Sequence, residues 1–153
     1  MPTASRETIL GAIFAKIQGM SFSSPINGSS TWVTASRRLR LWGDVPSDQQ
    51  PAAFLVEHRE VDEWTHLGTV RRKLDGLALW AYARTDDPMA IGGTYINMML
   101  ESLETAFAPD AMNGQCTLGG LVYWIRQEGR IFKDPGDIDN QAMLICPLVV
   151  EVP

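Results

Sequence analysis

Cysteine and histidine are scarce in this chain of 153 residues, with two of each. Cys116 and Cys146 each fall on or near a strand predicted for the core, where a free cysteine behaves as a small hydrophobe. A disulfide would need neighbouring strands to bring them together, which spacing alone does not decide. Both histidines, His58 and His66, fall in one charged segment, so no Ser/His/Asp arrangement can be assigned. Also missing is any apolar stretch of membrane-spanning length. The N-terminus lacks the basic start and long apolar run of a signal peptide, so synthesis and folding in the cytoplasm are expected. There is no internal repeat.

What is present is the composition of a folded protein: 45 % hydrophobic and 20 % charged residues. At this length one domain, residues 1–153, can bury a core without metals or disulfides. The net charge of −5 and a pI near 4.9 weigh against a protein that grips phosphate backbones.

Near the N-terminus Thr3 or Ser5 can cap a helix, with Glu7 placed for the positive end of the dipole. Ile9, Leu10, Ile13, Phe14 and Ile17 then form one stripe, and Gly19 is a natural stop. Residues 20–31 are Gly/Ser-rich without periodicity and read as a surface loop. Arg37 to Trp42 alternates charge with Leu39 and Leu41, as a short strand with one wet face does. After a turn-rich stretch, Ala53 to His58 is a strand apolar on both faces, and so interior to a sheet. Arg59 to Gly68 reads as a charged loop. Thr69 to Arg84 reads as one long strand in which Gly76 marks a bulge or close contact; a hairpin at Asp75-Gly76 is the other option.

A second helix is predicted from about Thr94 to Phe107, stopped by Pro109. Strands follow at Leu121 to Gln127, Arg130 to Lys133 as its short return, and Ala142 to Val152, with Pro147 marking a bulge or an unpaired position. The expected fold class is α+β: two helices on one face of a mixed, mostly antiparallel sheet of about five to six strands, with an extended hairpin arm.

The cluster from Glu57 to His66 holds four carboxylates and both histidines, and a metal or general-base site is conceivable there. Seven residues separate the two histidines, which fits no familiar helical ligand pair, and a solvated charged loop is the simpler reading. Asp86-Asp87 lacks the further oxygens of a calcium loop. Thr117-Leu118-Gly119-Gly120 precedes a strand, so no helix N-terminus stands ready to cradle phosphate. Two basic runs, Arg37, Arg38 and Arg40, and Arg71, Arg72 and Lys73, lie near Trp42 and Trp64. Flanking acidic residues favour polar sheet faces or subunit salt bridges over nucleic-acid contacts.

Several phrases carry a family resemblance in shared order: Arg38-Leu39-Arg40-Leu41-Trp42 with Val45-Pro46, Gln50 to Phe54, Tyr82 to Pro88, and Ile96-Asn97 opening a helix. Leu103-Glu104 through Ala108-Pro109, Gln115 to Val122, Glu128 to Ile131 and Gln141-Ala142 leading into Pro147 complete the set. Over roughly residues 5–152 the chain resembles the tail-terminator proteins of long-tailed phages and prophages; it departs from their pattern at Glu63 to Leu77. The resemblance implies a homohexameric ring that caps the tail tube, ends its polymerisation and presents a surface for head attachment. It implies the tail tube protein and a head-completion or connector protein as partners. DNA would pass through the lumen without specific binding, and no catalytic residue, cofactor or membrane is involved. The place implied is the head-proximal end of the virion tail. The basic half of the long strand, with no evident need inside the chain, makes Trp64, Arg71, Arg72 and Lys73 the candidate subunit or tube interface. Isolated protein would remain monomeric if the tube end templates the ring. The alternatives are another head-tail neck protein and, in a different class, a small metal-dependent hydrolase using the His58/His66 loop.

Overall fold

The computed structural model describes residues 4–24, 28–84, 89 and 91–153. Helix α1 (Arg6–Gln18) begins at Ser5, whose hydroxyl accepts from the Thr8 N–H at 3.1 Å. The alternative cap, Thr3, lies outside the described residues. Ile9, Leu10, Ile13 and Ile17 are buried, as their spacing predicts. Helix α2 (Gly92–Ala106) starts two residues earlier than predicted and buries Tyr95, Ile96, Met99 and Leu103.

In chain order the strands are β1 (Ser21–Ser24), β2 (Gly28–Thr31), β3 (Thr34–Ser36), β4 (Ala52–Glu57), β5 (Val61–Trp64) and β6 (Val70–Arg84) before α2. After it come β7 (Trp124–Gln127), β8 (Phe132–Asp134) and β9 (Gln141–Val152). Seven strands form the main sheet in the order β3-β4-β6-β9-β7, with β5 also on β6 and β8 also on β9. Among the described residues only the β3–β4 pair is parallel. The fold is α+β as expected, with a slightly larger sheet.

Strand alternation divides the sheet into two faces. On one, Leu55, Leu79, Ala81, Leu144, Cys146, Leu148 and Val150 pack with the apolar stripes of both helices. On the other, Ala52, Phe54, Val56 and Tyr82 are covered by Val45 and Leu39.

The structure departs from the sequence expectations in four segments. Residues 20–31 are not a loop throughout: β1 and β2 pair antiparallel. Their anchor is one aromatic, Phe22, whose ring centroid lies 4.7 Å from that of Trp32 and 5.8 Å from that of Tyr95 on α2. Arg37 to Trp42 is not a strand; the ladder stops at Ser36. Side-chain bonds hold that segment instead, the Tyr82 hydroxyl donating to the Arg40 carbonyl at 3.0 Å and Arg40 Nη1 to Gln49 Oε1 at 2.9 Å. Arg59 to Gly68 is not a loop throughout, because it contains β5, which pairs antiparallel with β6. Arg130 to Lys133 does not return along β7. Instead β7 and β8 lie end to end on β9, pairing at Leu148–Glu151 and at Met143–Ile145. Pro147 sits at the gap between them, where its missing N–H costs no ladder bond on that edge.

Candidate subunit interface

The extended arm is paired along its length, because β4 and β5 are two stretches along the same edge of β6. β4 pairs with Leu77 to Tyr82, and β5 continues the ladder on Val70 to Lys73. Between them, His58 donates to the Gly76 carbonyl at 3.0 Å and Gly76 donates to the Arg59 carbonyl at 3.1 Å. The β6–β9 register shifts between Leu74 and Leu77, so β6 carries a bulge at Asp75-Gly76. One long strand with an irregularity at Gly76 is thus what forms. A Cβ on Gly76 would lie 2.5 Å from the Arg59 nitrogen, so glycine is required here by contact. A turn closed by Thr65 and Thr69, hydroxyl to hydroxyl at 2.7 Å, ends the arm.

β9 accompanies β6 only as far as Arg72. Beyond it the arm is a two-stranded ribbon, and its charges are paired within the chain. Arg72 donates to both carboxylate oxygens of Asp62, at 2.7 and 2.9 Å. Arg6, at the start of α1, grips Glu60 through Nε at 2.8 and 3.0 Å. Hydrogen bonds from these two arginines hold the carboxyls of Asp62 and Glu60 below their ordinary values. Lys73 lies 4.0 Å from Glu63, and Arg71 donates to Glu151 at 2.6 Å. The premise that Arg71, Arg72 and Lys73 have no need inside the chain is therefore overturned. Cross-strand neighbours and the end of β9 supply the acids.

Trp64 stands differently. Alternation from the buried Leu74 puts Arg72 and Val70, and the opposite residues Asp62 and Trp64, on the helix-bearing side. The ribbon has outrun the helices at that point, so the indole is 71 % exposed, and Leu67 in the turn is 80 % exposed. Glu151 was missed in the sequence. Its signal was a lone carboxylate in an apolar closing strand, which burial obliges to find a partner. It is 4 % exposed.

Strand β5 also separates the histidines. His58 precedes it and His66 lies in the turn after it, roughly 25 Å of extended chain at about 3.3 Å per residue. Among the described residues no group of three or more His, Cys, Asp or Glu side chains is placed to hold a metal ion. The Asp86-Asp87 pair lies outside the described residues. Cys116 and Cys146 are free and buried, and burial pushes the Cys146 thiol up to about 12. Thr117-Leu118-Gly119-Gly120 does receive an anion, but from this chain. The Asp110 carboxylate accepts from the Thr117 N–H at 2.6 Å, the Thr117 hydroxyl at 2.8 Å and the Gly119 N–H at 2.9 Å. No described helix is long and apolar enough to cross a membrane.

Two of the three arginines of the other basic run are engaged as well. Arg37 donates to both oxygens of Glu7, at 2.8 and 3.1 Å, and Arg40 is held by Gln49. Purified protein is therefore expected to show no measurable binding to double-stranded DNA at physiological salt, where non-specific binders reach dissociation constants of about 10⁻⁴–10⁻⁶ M. An anisotropy titration checks this. Micromolar, salt-sensitive binding abolished by replacing Arg37, Arg38 and Arg40 is the opposite result, and marks a chain that handles DNA directly.

Comparison with protein-family models and with curated proteins returns no match.

Proposed function

We propose that this chain is a structural ring subunit that caps the tail tube of a long-tailed phage, ends tube growth and offers the surface to which the head attaches. The phrases shared with tail-terminator proteins supply the phage context. The arm is the observation that carries the reading. Its ladder and ion pairs stiffen a ribbon that runs past its own core and ends in exposed apolar side chains. A stiff arm with an uncovered tip is what a subunit needs to reach a neighbour. The ring would be a homohexamer on the tail axis, meeting the tube protein on one side and a head-completion or connector protein on the other.

Deletion of the coding sequence from its phage is expected to yield tails of uncontrolled length by electron microscopy. Complementation with Trp64→Asp, an exposed substitution that leaves the thermal melt within a few degrees of the parent's, is expected not to restore length control. Deletion tails of normal length that fail to join heads would move the chain to a head-completion role. Normal tails joined to heads would overturn both.

A further inference from the structure

We infer that the apolar cleft between α2 and the β7–β9 edge is the seat for the arm tip of a second copy of this chain, with Trp64 as the inserted side chain. The cleft has a volume of about 310 Å³ and is walled by Leu100, Leu103, Phe107, Ile125, Ile131 and Leu148. Such a space suits an indole, which buries a large apolar area and keeps one polar handle, its N–H. Among the described residues that N–H has no acceptor within its own chain. The cleft offers one at its wall: Glu104, exposed on α2 and in no described ion pair. The tip and the cleft thus match in apolar character and in size, and Glu104 stands where it can accept from the indole.

They cannot meet within one molecule. The ribbon lies on the β5 side of β6, whereas the cleft lies at β7, across β6 and β9. Three strand spacings separate β5 from β7, about 14 Å, and the paired ladder prevents the ribbon from folding back over them. The two surfaces belong to different edges of one sheet. A contact between them is heterologous, so each copy keeps a free tip and a free cleft until a ring closes. This deepens the ring reading by supplying the joint between copies, and its test needs no phage.

The test is disulfide trapping between two full-length variants, Leu67→Cys at the tip and Gln127→Cys at the cleft mouth, mixed under mild oxidation. Lys16→Cys, exposed on α1, replaces Gln127→Cys in the control mixture. Trapping captures brief encounters, so a chain that is monomeric in isolation still reports. The native thiols are buried and compete little. The expected result is a Leu67→Cys/Gln127→Cys heterodimer forming at least tenfold faster than the control, with Trp64→Ala in the tip variant returning the rate to control. A rate equal to control overturns the inference, as does an excess that Trp64→Ala leaves intact. Either failure leaves the tail-capping experiment to be judged on its own result.

Discussion

Gly76→Val is expected to lower the stability of the whole fold by about 2–4 kcal/mol, read from the urea midpoint at unchanged slope. The added carbon would meet Arg59 backbone nitrogen and Cγ, both at 2.5 Å. That contact lies where two hydrogen bonds join β4, β5 and β6, so the chain can relieve it only by breaking the junction. The backbone at Gly76 is not left-handed, hence the loss would track side-chain volume rather than backbone strain, with alanine milder than valine. Gly11, which faces open space on α1, is the control. Its replacement by alanine removes a helix-interior glycine and should stabilise by up to about 1 kcal/mol. Equal effects at the two positions would show that the tight approach at Gly76 is unimportant.

Arg71→Glu is the second large effect, because Arg71 is tied to the buried Glu151. Hydrogen bonding by Arg71 holds the Glu151 carboxyl below its ordinary value of 4.5, against the opposing pull of burial, with a further bond from the Trp124 side chain. A carboxyl lowered on folding stabilises the protein above its unfolded value, and that contribution is lost as pH falls through the folded one. In the native chain the loss therefore lies below pH 4.5. In the variant the lowering bond is replaced by a second carboxylate while burial remains, so acid unfolding should begin at higher pH, and the melting temperature at neutral pH should fall by several degrees. Circular dichroism across a pH series measures both. Arg71→Lys, which keeps the charge, should recover most of the difference. An acid midpoint unmoved in Arg71→Glu would mean that Glu151 is satisfied by Trp124 alone.

The residues that announced themselves in sequence did so through periodicity. The stripe Ile9 to Ile17, the apolar run of β4 and the long β6 with its glycine irregularity all lie where one repeating environment acts over many residues. What was illegible depended on partners far along the chain. β5 carries Asp62 and Glu63, which oppose Arg72 and Arg71 across the ladder; read singly, those charges resemble a wet loop. The β1–β2 ribbon is polar apart from Phe22, and its support comes from Trp32 and Tyr95. The interface candidates divided on the same ground. Trp64 stayed largely exposed because little among the described residues covers it, whereas Arg71, Arg72 and Lys73 found acids that only the fold brings near.

Because irregularities coincide on both strands at Gly76, the ribbon's pointing direction is decided at one place. The sheet's right-handed twist accumulates along every strand, and a bulge increases it locally. The arm therefore leaves the body at an angle inherited from a single backbone step. Were copies joined tip to body, that angle would be added once per copy around the circle, and a small deviation would be multiplied by their number. Closure demands that the sum be one full turn. The tight approach of Arg59 to Gly76 then acts as an angular standard, and a substitution that left every contact surface untouched could still change how many copies complete a circle, or leave the circle open as a helix.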